Sequence, residues 1–225
     1  MGWRSVNYSD VPQALPMRTR GSASLSVCYN MRKDFAAVDE MSSAQRIGIF
    51  GGSFNPIHLG HVGVAERAAA DYGLSKVLVV PAHVSPFKTV GPAPLDDGLR
   101  WRLVQIACEG HPLLEPCDIE LRRGGVSYTI DTVREIKALY PDAELFFIVG
   151  EDSVAGLPHW RSADELAKLC RFVSFPRTPE SSTEIRRRLE EGESIEGLVD
   201  PRVAAALSLR RAAGSDGRGS RPRRP

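Results

Sequence analysis

From Arg46 onward, apolar positions alternate between short continuous runs and longer stripes of helical period. Ile47-Gly-Ile-Phe50 is an apolar run ending in two glycines, which is the pattern of a buried strand. The segment 61–71 reads as a helix, because Val62, Ala65, Ala69 and Tyr72 recur at helical spacing. Gly73 follows as a left-handed stop. Lys76 to Val80 is a second apolar run, closed by Pro81. Strand, helix and strand within about 35 residues predict a βαβ unit with parallel strands and a right-handed crossover. The pattern then repeats. Helices are predicted at 99–108, 129–140, 163–170 and 182–191, and strands at 117–121, 145–149 and 172–175. A last helix opens with Asp200 as its cap and Pro201 at its first position. This alternation predicts an α/β fold, a Rossmann-like open parallel sheet with helices on both faces. Ligands of such sheets sit outside the carboxyl ends of the strands.

Residues 1–45 carry no sustained period and read as an N-terminal extension, either disordered or upstream of a true start near Met41. Residues 46–209 read as a single folded domain, and 210–225 as a basic disordered tail that has little to bury beyond prolines. Charge sharpens this division. The 225-residue chain has a formal net charge of +1, from 29 Lys and Arg against 28 Asp and Glu. The extension holds five basic and four acidic groups, and the tail six arginines and one aspartate, leaving the domain with 18 basic and 23 acidic groups. An acidic domain gains nothing from bulk attraction when it binds an anion, so anionic ligands require local cradles. Neither a membrane nor a specific nucleic acid is expected as a partner. No run approaches the roughly 20 apolar residues that span a bilayer. Cys28, Cys108, Cys117 and Cys170 are scattered without a C-x-x-C pair, which suits a reducing cytoplasm.

Four polar clusters fall at strand ends or helix starts. The first is Gly51-Gly52-Ser53-Phe54-Asn55-Pro56-Ile57-His58-Leu59-Gly60-His61. Its glycines let backbone approach a ligand closely, and the following helix start presents amide donors and a positive dipole end. His58 and His61, three apart, can flank one small volume. The functional reading is a phosphate cradle; the alternatives are a turn with surface histidines and a metal site, although two ligands alone close no zinc shell. The second cluster is Ser181-Ser182-Thr183-Glu184-Ile185-Arg186, where Ser181 and Glu184 have capping-box spacing. Ser182, Thr183 and Arg186 then share one helix face, as a polyphosphate clamp or as an ordinary capped helix with solvated arginines. The third, Gly124-Gly125-Val126-Ser127-Tyr128-Thr129 with Trp160-Arg161 downstream, offers aromatic rings for stacking and a hydroxyl for hydrogen bonding at a helix start, or the edges of a core. The fourth, Gly150-Glu151-Asp152-Ser153, ends a buried strand with a carboxylate that suits ribose hydroxyls or a helix cap.

The first string resembles the signature of the nucleotidyltransferase superfamily, a glycine-rich turn followed by His-x-Gly-His. Within that superfamily the chain is most similar to the bacterial nicotinate-nucleotide adenylyltransferase family, from about Arg46 to Leu207. The resemblance implies transfer of AMP from ATP to nicotinate mononucleotide, giving deamido-NAD and pyrophosphate, with Mg2+ carried on the ATP phosphates. It implies catalytic roles for His58, His61 and Arg186, and ATP binding by Gly51, Gly52, Ser53, Phe54, Gly150, Asp152, Ser182, Thr183 and Lys88. Tyr128, Thr129 and Trp160 would hold the nicotinate nucleotide. Two departures stand out. Phe87 precedes Lys88 where the family usually has histidine, and only five residues, Pro176 to Glu180, link the last strand to the Ser-Ser-Thr motif. A longer connection with one more strand is usual, so a tight turn must deliver the clamp helix here. The rival readings are a phosphopantetheine adenylyltransferase, which usually has Thr in place of His58, and a nucleotide-binding regulator that has lost catalysis.

Overall fold

Short continuous apolar runs build the sheet, and period-3.6 stripes cover both its faces. The computed structural model describes residues 44–86 and 95–215, and its elements lie in the unit Gln45–Pro225. In chain order the first half comprises β1 (Arg46–Gly52), α1 (Leu59–Tyr72), β2 (Lys76–Pro81), α2 (Asp97–Cys108), β3 (Leu114–Pro116) and α3 (Ile119–Arg123). The second half comprises α4 (Thr129–Leu139), β4 (Glu144–Gly150), α5 (Glu151–Val154), α6 (Ala163–Leu169), β5 (Arg171–Phe175), α7 (Ser182–Glu191) and α8 (Pro201–Ser215).

The strands are parallel in the order β3-β2-β1-β4-β5. Successive side chains of a strand point to opposite faces, and this divides the apolar residues between two cores. Phe50, Val77, Val79, Phe146, Ile148, Val173 and Phe175 face α1, α2, α7 and α8. Ile47, Ile49, Leu78, Val80, Leu145, Phe147 and Val149 face α3, α4 and α6. Both faces are covered, which is why the strands read as continuous apolar runs. The strand order reverses direction at β1, so the carboxyl ends of β1 and β4 flank the switch point where such sheets bind ligands.

Local signals set the helix ends. Asp96 caps α2 by accepting the Leu99 N–H at 2.9 Å, which starts that helix earlier than its apolar stripe suggests. Gly73 ends α1 in the left-handed region at φ 57°. Two expectations are corrected. The strand expected at 117–121 is instead β3 at Leu114–Pro116 followed by α3. Cys-Asp-Ile-Glu-Leu alternates like a strand, yet the adjacent Ile119 and Glu120 are both buried, and Asp118 pairs with Arg122 one helical turn on. The domain boundary expected at 209/210 falls within α8, which runs to Ser215. Leu209-Arg-Arg-Ala-Ala213 are strong helix formers, and the count of arginines masked that propensity. Residues 1–43, 87–94 and 216–225, including the extension, Lys88 and the end of the basic segment, lie outside the described residues. Among the described residues no helix is long and apolar enough to cross a membrane.

Candidate active site

The glycine turn leaves β1 and folds back on itself. Without a Cβ, Gly52 lets the Phe54 ring lie beneath it; a Cβ there would stand 3.0 Å from ring carbons. Phe54 takes φ 41°, a strained backbone region for a side chain of this size. The residue is only 2% exposed, and its ring meets Phe50 and His61 edge-on at 5.5 and 5.0 Å. Phe54 is therefore a prop beneath the cradle.

His58 forms the N-cap of α1 in an extended conformation, and its ring stacks on His61 with centroids 3.5 Å apart. The His58 N–H donates to His61 Nδ1 at 3.2 Å. That bond makes Nδ1 the acceptor, so the neutral His61 ring carries its proton on Nε2 as a donor. His58 is 7% exposed, and its Nδ1 is buried without a hydrogen-bond partner. Burial lowers its pKa from 6.5 to about 4, with Glu180 pulling weakly the other way. Between these values the unfolded chain binds a proton that the folded chain refuses, so stability falls as pH drops. The loss reaches about 3 kcal/mol by pH 4 and is absent above pH 7. Denaturant melts of wild type and His58→Gln from pH 7.5 to 4 should show wild type losing ground steadily; a pH-independent difference would contradict the assignment.

The clamp helix reaches this turn from the far end of the sheet. Ser181 caps α7 by accepting the Glu184 N–H at 3.1 Å, and the fully buried Ile185 anchors the helix in the core. Ser182 Oγ donates to the Pro56 carbonyl at 2.9 Å. Arg186 donates through Nη1 to the Asn55 carbonyl at 2.6 Å and through Nη2 to Thr183 Oγ1 at 3.2 Å. Its Nε is buried without a partner. Arg187 and Arg188 are tied instead to Glu184, Glu191 and Glu193 on the outer face. The short Pro176–Glu180 connection suffices because it lies directly on α1. A Cβ on Gly60 would stand 2.0 Å from Thr178 Oγ1 and 2.7 Å from Glu180 Oε2.

At the fourth cluster Gly150 ends β4, and Asp152 is half-exposed at the start of α5. Its carboxylate pairs with Arg177 at 2.5 Å, which holds its pKa below the usual carboxylate value. The carboxylate thus ties the Pro176–Glu180 turn to β4. The third cluster lies beyond the other core. Tyr128 is the N-cap of α4 and Thr129 its first residue. The Arg161 guanidinium covers the Tyr128 ring at 4.6 Å. Trp160 packs edge-on against Phe147 and Phe172, each at 6.0 Å, so this ring also serves the core edge. Ser127 Oγ accepts the His83 N–H at 3.0 Å, joining the cluster to the exit of β2.

Two buried side-chain nitrogens without a hydrogen-bond partner, His58 Nδ1 and Arg186 Nε, thus belong to one turn. Buried polar groups are rarely left unpaired; Arg186 Nε is a donor and calls for an acceptor such as an anion's oxygen, and His58 Nδ1 joins it in the tautomer that carries its proton there. Burial pushes the Cys108 and Cys170 thiols up to about 12 and raises Cys117 as well, which removes these three as thiolate nucleophiles. Among the described residues no group of three or more His, Cys, Asp or Glu side chains is placed to hold a metal ion.

Residues 49–188 match the cytidylyltransferase-like family model. A protein of Shouchella clausii named "Probable nicotinate-nucleotide adenylyltransferase" is 42% identical over 185 residues, covering 74% of this chain and 95% of that protein. The chain belongs to the nicotinate-nucleotide adenylyltransferase family. A Dehalococcoides mccartyi protein of the same name is 34% identical over 195 residues, covering 72% of this chain and 94% of its own length. The crystal structure of a Vibrio parahaemolyticus protein titled "Putative Nicotinate-nucleotide Adenylyltransferase" superposes with a TM-score of 0.62 at 27% identity. It covers 73% of this chain and 93% of that one.

Within this family member, sequence reasoning missed three contributors to the site. Arg177 and Glu180 lie in the connecting turn, and no local pattern marks them. Arg100 left a readable signal, because it occupies the apolar stripe of α2 with Leu103, Val104 and Ala107. A charge on a buried stripe requires partners, and Arg100 has four.

Proposed function

We propose that this adenylyltransferase-family chain moves AMP from ATP to nicotinate mononucleotide, releasing pyrophosphate and forming deamido-NAD. The observation that carries this reading is the convergence of His58 Nδ1 and Arg186 Nε, buried and unpaired, on the turn at the carboxyl end of β1. A phosphate oxygen of the mononucleotide attacks the α-phosphorus of ATP in line, and the bond to the β-phosphate oxygen breaks. Such transfers need positioning and charge stabilisation more than covalent help. His58 and His61 hold the α-phosphate oxygens, His61 through its Nε2 proton. Arg186 and Lys88 offset the charge of the departing pyrophosphate, and Ser182 and Thr183 contribute to ATP binding beside Arg186 at the start of α7. The Gly51-Gly52-Ser53 backbone cradles the triphosphate, and Gly150 and Asp152 receive the adenosine. Tyr128, Thr129 and Trp160 hold the pyridine ring. We assign the reaction to residues 46–209, which contain all of these groups.

ATP enters as its magnesium complex in this reading, with the ion on the substrate's own phosphate oxygens. The cradle's donors are imidazole, amide, hydroxyl and guanidinium groups, a set suited to phosphate oxygens rather than to a bare cation. When bound, the ion offsets part of the polyphosphate charge.

Pyrophosphate release is the direct test. ATP with nicotinate mononucleotide should give it, with nicotinamide mononucleotide and phosphopantetheine run in parallel. Release with phosphopantetheine alone would move the chain to the other adenylyltransferase. Thermal stabilisation by ATP without any turnover would make it a nucleotide-binding regulator.

A further inference from the structure

We propose that Arg100 is a positioning residue for the phosphate cradle, setting the geometry of the glycine turn through its backbone carbonyls. This proposal rests on the adenylyl-transfer reading above. Arg100 is 3% exposed and lies on the buried face of α2. A guanidinium brings five N–H donors and no acceptor, so burial demands that its donors be used. Nη1 donates to the Ser53 carbonyl at 2.8 Å, and Nε to the Leu95 carbonyl at 3.2 Å. Nη2 reaches Asp97 Oδ1 at 2.6 Å and the His83 carbonyl at 3.4 Å. The other oxygen of Asp97 is bonded to His83 Nδ1.

One side chain therefore holds three separate stretches of backbone: the turn after β1, the exit of β2, and the segment entering α2. The connection continues to the ligand side. Leu95 donates its N–H to Asn55 Oδ1 at 2.9 Å, while the Asn55 and Pro56 carbonyls accept from Arg186 and Ser182 of the clamp helix. Arg100 and Arg186 thus hydrogen-bond backbone carbonyls of the same turn, at Ser53 and Asn55, and His58 caps the helix that follows it. A lysine in place of Arg100 keeps the charge but loses the planar fork that serves three carbonyls at once. Displacement of a positioned group by about 1 Å can cost on the order of 10²-fold in rate.

A purely structural arginine would lower stability and leave the cradle's chemistry alone, so the test must separate the two. Arg100→Lys, His61→Ala and the double variant are compared in the pyrophosphate assay, with thermal melts of each. Arg100→Lys is expected to melt cooperatively, to lose at least 10-fold in kcat, and to change KM for ATP by less than about 3-fold. In the double variant the two losses should not multiply, because both act through one cradle. Multiplying losses, or a kcat within 2-fold of wild type, would overturn the proposal. If Arg100→Lys fails to fold, Asp97→Asn replaces it: it leaves Arg100 buried, releases one donor and the His83 ring, and should lower kcat several-fold without multiplying the His61→Ala loss. If wild type itself releases no pyrophosphate, the adenylyl-transfer reading fails separately. Arg100 is then judged by ATP-induced thermal stabilisation, which Arg100→Lys must diminish for the proposal to survive.

Discussion

His61→Ala is expected to slow pyrophosphate release about 10²- to 10³-fold, the usual cost of losing one preorganised donor at a developing charge. The expectation follows from the hydrogen bond at its other nitrogen. Because Nδ1 accepts the His58 N–H, Nε2 carries the proton and is committed as a donor before any substrate arrives. Alanine also removes the acceptor at the N-terminus of α1 and the ring that stacks on His58 and meets Phe54, so some stability is lost with the chemistry. Loss of a cap costs about 1 kcal/mol. His61→Gln separates the two effects. Glutamine at this third helical position is the residue that normally reaches back to the N-cap amide, so it restores the cap and leaves the imidazole absent. Thermal melts should place His61→Gln above His61→Ala, while both variants stay at least 10²-fold slow. Near-normal turnover in either folded variant would remove His61 from the catalytic set.

The parts of this site that were legible in the sequence are those built from neighbouring residues. The glycine turn, the paired histidines and the Ser181–Glu184 cap each act within one turn of helix or one loop, so spacing alone describes them. Continuous apolar runs likewise gave four of the five strands and their parallel pairing, because strands buried on both faces carry no polar alternation. The hidden parts are contacts between distant segments. Arg177 meets Asp152 from 25 residues away, and Arg186 meets Asn55 from 131. Glu180 lies over Gly60 only because the connection after β5 is short enough to lie on α1. The misplaced strand at 117–121 has a different origin. Its alternation mimics a strand, but tertiary packing buries the adjacent Ile119 and Glu120 together, and burial pushes the Glu120 pKa up. Thr132 donates to that carboxyl at 2.5 Å, so the short helix α3 is held by a polar contact that an apolar pattern does not contain.

Arg186→Ala is expected to lower kcat by a similar 10²- to 10³-fold, for a reason different from that for His61. Pyrophosphate gains charge as it departs, and Arg186 is the guanidinium that α7 brings to the turn, with Nε buried and still unpaired. An interaction completed only as charge develops appears in kcat rather than in KM. Its Nη1 bond to the Asn55 carbonyl adds a structural share. Removing it leaves that carbonyl without this donor, at a cost of about 1–3 kcal/mol where the group is buried. Arg186→Lys divides the two contributions. The ammonium retains a point charge near the turn, but it cannot keep the Asn55 contact and present a second planar donor together. Lysine should therefore recover part of the lost rate, while both variants melt below wild type. Equal losses for Ala and Lys would mean that geometry, and not charge, is what Arg186 supplies. Unchanged turnover with Ala would mean that the convergence of α7 on the glycine turn is structural, and the role assigned to the clamp helix would fail with it.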